Sequence, residues 1–236
     1  MKKLNCFVVD ENPFVLDSVC SSLLNLGLEA FPFRSCNMIH QLLSCVGSDL
    51  IVCKPTKISE GIVSLVHSIR DNYPDIYLLA IYEKTVGKCD SVIFDQVIDP
   101  QYSLRNLSSV LRMRFPEVTA IAKDYSETKA TLHSPIFLDA FFRSIRTLLP
   151  VMDLSIEKRN VDLLTEIALS IMDLTHRQFS EVIYNHFSKF LELLDVGGLI
   201  ESTHAEYLTV IKWEIDKLER QQKANSIHPF LQQFDI

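Results

Sequence analysis

The sequence predicts a doubly wound parallel α/β sheet followed by an all-α four-helix bundle. Over about the first 115 residues, short apolar runs alternate five times with segments whose apolar residues recur at helical spacing. Beyond residue 136 no convincing strand remains, and four amphipathic segments follow one another with short connections. Between these halves Lys123 to Pro135 (KDYSETKATLHSP) is polar and ends in Ser-Pro, the composition of a linker. The chain therefore divides into an α/β domain at 1–120, a linker at 121–135, a helical domain at 136–224 and a tail at 225–236.

Taken in order, Leu4 to Asp10 (LNCFVVD) is an apolar strand ending in two acids, Asp10 and Glu11. Asn12 and Pro13 then open a helix whose apolar face is Val15, Val19, Leu23 and Leu26, and Gly27 stops it. Leu28 to Phe33 is a second strand, Cys36 to Leu43 a short helix, and Leu50 to Cys53 a third strand. Ile62, Leu65, Val66 and Ile69 mark the next helix, Pro74 and Asp75 break it, and Ile76 to Ile81 is a fourth strand. Val92 to Ile98 contains the fifth, and Leu104, Leu107, Val110 and Leu111 face inward on the helix after it.

Chemistry in such sheets is placed at the carboxyl ends of the strands. Lys54 emerges from the third strand there, where a metal-holding or phosphoryl-accepting protein needs a carboxylate: Mg²⁺ takes hard oxygen ligands and the acceptor must be a nucleophile. A lysine supplies neither.

The acid pair after the first strand, followed by Asn12-Pro13, a helix and a glycine, resembles the receiver domain of bacterial response regulators over residues 4 to 115. The resemblance implies a flavodoxin-like (CheY-like) fold. It also implies roles: two acids holding Mg²⁺, an acceptor Asp after the third strand, a Ser or Thr after the fourth and a Lys-Pro after the fifth. This chain keeps Asp10 and Glu11 and departs elsewhere, with Lys54 at the acceptor position, Ala80 or Ile81 in place of the hydroxyl residue, and Asp99-Pro100 in place of Lys-Pro. Lys54 and Asp99 have in effect exchanged roles. One expectation is an internal cluster in which Lys54 pairs with Asp99 and with Asp10 or Glu11, since an unpaired buried lysine is costly; the alternative is that Lys54 points to solvent. Phosphotransfer through this pocket is not expected, nor is a bound metal. The family's cis bond before Pro100 is carried over as an expectation.

In the second half, Phe137, Phe141, Phe142, Ile145 and Leu148 mark a helix that Pro150 is expected to end. Val161, Leu164, Ala168, Ile171 and Met172 mark a second. Thr175 is expected to cap a third, with Phe179, Val182, Ile183, Phe187, Phe190, Leu191 and Leu194 along one side and Gly197-Gly198 closing it. A fourth starts near Ser202 or Thr203, with Leu208, Ile211, Ile215 and Leu218 as its seam. Trp213 points nearly opposite that seam with Val210 beside it, which suggests a second contact surface; cover by the first helix or by Phe230-Leu231 is the alternative. The order of these helices is similar to the helical domain shared by the circadian clock protein KaiA and the amino-terminal part of the phosphatase RsbU. That resemblance implies a homodimer formed through the bundle and a groove for a kinase or switch protein, with Phe179, Phe187, Phe190, Leu191, Val210 and Trp213 as candidate dimer or partner contacts.

The bulk numbers set limits. With 236 residues, 47% apolar and 22% charged, the chain has the composition of a soluble globular protein large enough for two modest cores. A net charge of −7 argues against a protein that chiefly grips a phosphate backbone. No segment approaches a membrane span, Asp10 and Glu11 interrupt the opening apolar run too soon for a signal peptide, and a cytoplasmic location is expected. The six cysteines, Cys6, Cys20, Cys36, Cys45, Cys53 and Cys89, form no C-x-x-C pair and read as reduced small hydrophobes. No phosphate-cradling glycine motif, hydrolase triad or cofactor signature appears.

The reading is a non-enzymatic signalling regulator that acts by protein contact without phosphorylation. The rivals are an RNA-binding antiterminator of the ANTAR type and a histidine phosphotransfer protein. Residues 125–236 carry 16 acids and 11 Lys plus Arg, a net of −5, which disfavours RNA. The phosphotransfer idea rests on His186-x-x-Lys189, where a surface or satisfied histidine is the commoner explanation.

Overall fold

The computed structural model describes residues 4–53, 60–81, 93–99, 103–116, 118, 135–175, 181–197 and 201–231. Five strands, β1 (Asn5–Val9), β2 (Glu29–Phe33), β3 (Leu50–Cys53), β4 (Tyr77–Ile81) and β5 (Gln96–Ile98), form one parallel sheet in the order β2-β1-β3-β4-β5. Helices α1 (Pro13–Asn25), α2 (Ile39–Cys45), α3 (Glu60–Asn72) and α4 (Ser103–Arg114) alternate with them. Strands β1 to β4 consist of apolar runs buried on both faces, apart from the half-buried residue that opens β1 and β4 and a buried glutamate, Glu29, that opens β2.

Local chemistry sets the first connection. The Asn12 side chain accepts from the Phe14 N–H at 3.0 Å and Pro13 takes the first helical position, so α1 starts where the sequence predicts. Its end is a Gly27 in the left-handed region (φ 78°), which lets Leu28 N–H return to the Leu23 carbonyl at 3.1 Å.

The helical half consists of α5 (Pro135–Glu157), α6 (Val161–Thr175), α7 (Glu181–Gly197) and α8 (Glu201–Leu231). Helix α5 packs on α6 and α8, α6 on α7, and α7 on α8, a closed cycle of four helices. Ion pairs reinforce the α5–α8 seam: Arg146 to Asp216 at 2.7 Å and to Glu219 at 2.5 Å, and Lys212 to Asp153 at 2.6 Å. Two expectations, for Pro150 and for the tail, are corrected. Pro150 lies inside α5, which continues to Glu157, because Leu148, Leu149, Val151 and Met152 on either side of it are all buried and hold the helix through the missing hydrogen bond. Thr175 is the last residue of α6, its hydroxyl donating to the Met172 carbonyl at 3.0 Å, and residues 176–180, before α7, lie outside the described residues. The segment read as a tail is helical as far as Leu231. Of the expected linker only Pro135 is among the described residues, and it begins α5.

The two halves share one packed core, joined at β2. This strand is the sheet edge, and α5 and α6 both pack on it and on α1. Glu29 N–H bonds to the Leu4 carbonyl of the strand β1 side, so by alternation the backbone of Ala30, Pro32 and Arg34 faces away from the sheet. Each of the three positions is accounted for. Ala30 N–H donates to the Ser144 hydroxyl of α5 at 3.0 Å, Pro32 has no N–H, and Arg34 N–H donates to the Glu166 carboxylate of α6. Around them, Arg143 donates to the Gly27 carbonyl at 2.9 Å, and the buried Glu29 carboxylate meets Arg143 at 3.2 Å and the Thr147 hydroxyl at 2.9 Å. A parallel-sheet edge is thus closed by helix side chains instead of a further strand.

Ser144→Ala keeps the helix but leaves the Ala30 N–H buried without its acceptor. Urea denaturation is expected to show a loss of about 1–3 kcal/mol; an unchanged midpoint would show that the edge does not depend on this hydroxyl.

Candidate functional site

The strand order reverses direction between β1 and β3, so the crevice outside their carboxyl ends is the switch point at which such sheets place ligands. Register aligns Val9 with Cys53 and Cys53 with Ala80, which brings the ends of β1, β3 and β4 level. Asp10 follows β1 and is buried; its Oδ1 accepts the Asn12 N–H at 2.7 Å, and its own N–H donates to the Phe33 carbonyl at 3.1 Å. Glu11 beside it is exposed. Ala80 and Ile81 are fully buried in β4 and offer no hydroxyl. Asp99 is half-buried just past β5. Lys54 and Pro100 lie outside the described residues, and so do the expected Lys54–Asp99 pairing and the cis bond.

The receiver resemblance implies Mg²⁺, and the donor set can be tested against it. Asp10 has one carboxylate oxygen committed to a backbone N–H, Glu11 points to solvent, and the residue after β3 is by sequence a lysine. Among the described residues no group of three or more His, Cys, Asp and Glu side chains is placed to hold a metal. One partly committed carboxylate, one exposed glutamate and, by sequence, a lysine do not suit a hard divalent cation that wants several oxygen ligands.

A second polar cluster, at the carboxyl end of β2, was not picked out from the sequence. Arg34 makes a two-pronged ion pair with the buried Asp173 of α6, Nε to Oδ2 at 2.8 Å and Nη2 to Oδ1 at 2.5 Å. That bond, more than any other influence, raises the Arg34 pKa and keeps the guanidinium charged. Glu166, two turns before Asp173 on the same face of α6, accepts from the backbone N–H groups of Ser35 and Arg34. Burial nonetheless dominates and pushes its carboxyl above the usual range, with the charge of Asp173 adding to the effect. The signal was present: Glu166, Ser170 and Asp173 recur at i, i+4, i+7 among the apolar positions of α6. Nearby thiols are held protonated. Burial raises Cys36, helped by Glu11 and Glu166, and raises Cys53 to about 12, helped by Cys36 and Asp10.

The candidate contact residues of the bundle separate into two groups. Phe187 and Phe190 have no exposure and lie in the bundle core, Phe190 edge-on to His204 with ring centres 5.3 Å apart; Leu191 is half-buried against the same core. Phe179 lies outside the described residues. On α8, Leu208, Ile211 and Ile215 of the predicted seam are buried and Leu218 is half-buried against the core, while Val210 is 47% and Trp213 60% exposed, the Lys217 ammonium lying 4.9 Å from the Trp213 ring centre. His186 is half-buried, its Nδ1 3.1 Å from the Tyr207 hydroxyl.

Strand order, register and the acids ending β1 define the first half as a receiver-type, CheY-like fold carried by a chain whose remainder is helical. No protein-family model matches the chain, and no curated protein matches it. Among solved structures, the response regulator TrrA of Thermotoga maritima in complex with Mg²⁺-BeF is similar at 13% identity over 47% of this chain and 97% of its own, with a TM-score of 0.42. A response regulator receiver domain protein from Clostridium thermocellum is similar at 13% identity over 50% of this chain and 98% of its own, with a TM-score of 0.42. The RcsB response regulator of Salmonella typhimurium is similar at 12% identity over 80% of this chain and all of its own, with a TM-score of 0.40.

Because Glu166 titrates above an ordinary carboxyl, the folded chain binds that proton more tightly than the unfolded chain. Its contribution is fully present below the unfolded value and is lost as pH rises through the folded one. Glu166→Gln is therefore expected to raise the melting temperature at pH 7–8, with the advantage shrinking as pH falls to about 4. A variant less stable than wild type at neutral pH would contradict this reading.

Proposed function

We propose that the chain is a non-enzymatic signalling regulator: a receiver-type domain that has given up phosphotransfer, fixed to a helical bundle that makes contacts with partner proteins. The observation that carries this is the lysine directly after β3, at the strand end where a receiver presents its acceptor carboxylate. Supporting it, Asp10 is bonded to its own chain and the end of β4 lacks a hydroxyl. The output is surface contact, because the bundle is clamped to β2 by charge-assisted and backbone bonds. His186 is engaged by Tyr207, which weighs against a phosphotransfer histidine, and the acidic helical half weighs against RNA. The protein works in the cytoplasm without a cofactor.

Incubation with acetyl phosphate and Mg²⁺ is expected to leave the wild type without a stable acyl phosphate, read by intact mass and phosphate-affinity gels. Stable carboxylate phosphorylation of the wild type would overturn the proposal. Lys54→Asp, which restores an acceptor, is the informative comparison.

The homodimer and the kinase or switch partner of the KaiA/RsbU-like reading belong to the exposed face of α8, where a large aromatic and a valine stand one turn apart. Light scattering is expected to give a dimer that Trp213→Glu converts to a monomer without lowering the melting temperature. A monomeric wild type at tens of micromolar would sink the dimer. Phe187→Glu would not make this test, since it places a charge in the bundle core.

A further inference from the structure

Where α2 meets the corner between α5 and α6, the two halves leave a cleft of about 280 Å³. Leu154 and Leu163 supply its apolar wall, and Gln41, Ser44, Lys158 and Asn160 border it. The volume falls just under the roughly 300–1,000 Å³ of typical small-ligand sites, which favour the junctions between packed units. The corner itself is specially shaped. Arg159, between Lys158 and Asn160, sits in the left-handed region at φ 54°, held by Arg159 N–H to the Ile156 carbonyl at 3.1 Å and Asn160 N–H to the Ser155 carbonyl at 2.8 Å.

Most polar groups around the cleft are already engaged. The Ser44 hydroxyl donates to the His40 carbonyl at 3.0 Å, and the Ser155 hydroxyl donates to the Val151 carbonyl at 2.7 Å. Asn160 donates to the Gln41 side-chain carbonyl at 3.1 Å while its own oxygen accepts the Leu163 N–H at 3.1 Å. No Asp or Glu lines the cleft, and none of the ion pairs among the described residues involves Lys158. A mainly apolar space lined by one exposed lysine and no carboxylate is complementary to a small monoanion with an aliphatic body.

We propose that this cleft binds a small amphiphilic carboxylate, its charge on Lys158 and its hydrocarbon against Leu154 and Leu163. The walls come from both halves, so occupancy favours the arrangement in which the α5–α6 corner is seated on α2. As an input to signalling the site rests on the phosphorylation-independent reading; as a binding site it stands on the cleft alone.

The test is calorimetry on the full chain with octanoate below its micellar concentration, and with octan-1-ol and octylammonium as charge controls. Octanoate is expected to bind saturably at one site, about fivefold or more tighter than octan-1-ol, the worth of one partly screened ion pair. Lys158→Ala should erase that preference, Lys158→Arg should retain it, and Ser44→Trp should fill the cleft and abolish binding. Both positions are exposed, and circular-dichroism melts verify that the variants fold. Absence of saturable binding, equal binding of octylammonium, or affinity unchanged in Lys158→Ala or Ser44→Trp would overturn the site. Stable phosphorylation in the acetyl phosphate experiment would overturn the signalling reading while leaving octanoate binding untouched, so the two failures are separable.

Discussion

The backbone of β2 has a strand partner on one side only, and the way its other side is satisfied governs the arrangement of the whole chain. An exposed parallel edge leaves donors and acceptors open to any passing strand. Here Pro32 removes one donor, Ser144 takes the Ala30 N–H and Glu166 takes that of Arg34. The helices that supply these groups are consequently part of the α/β core, and the bundle is seated with α5 and α6 against β2 and α1. Side chains do this better than a sixth strand could, because a proline in the middle of β2 would break a ladder.

That seating brings the helical half close to the strand ends where receivers do their chemistry. Asp10 and Arg34 are attached to neighbouring points of β2, Asp10 through the Phe33 carbonyl and Arg34 by following it in sequence. Arg34 is bonded in turn to Asp173. A rearrangement at the end of β1 is thereby one hydrogen bond and one residue away from an ion pair into α6. This short path ties the end of β1 to the bundle through one backbone bond and one ion pair.

The α6 polar stripe also shows a compromise. Asp173 is buried with a full guanidinium partner, whereas Glu166 faces two backbone donors and a like charge, and burial leaves its ionised form disfavoured. Keeping a carboxylate there closes the edge at some cost in stability.

Much of the fold was legible in local sequence. Strand runs, the Asn12-Pro13 start, the Gly27 stop, the buried seam of α8 with Trp213 opposite it, and the lysine after β3 all follow from neighbours within a few residues, where propensity, capping and periodicity act. Periodicity tells which face of a helix is buried but not what covers it. For that reason periodicity alone offers Phe187 and Phe190 as contact candidates, whereas both lie in the bundle core with Phe190 against His204 of α8, and it makes Pro150 a terminator, whereas its buried neighbours carry α5 past it. The closure of β2 was beyond local reading altogether: Ala30 and Ser144 are 114 residues apart, and Arg34 and Asp173 are 139. Bonds across such separations are decided by how the two halves dock, because only tertiary packing brings an edge donor and its acceptor within reach.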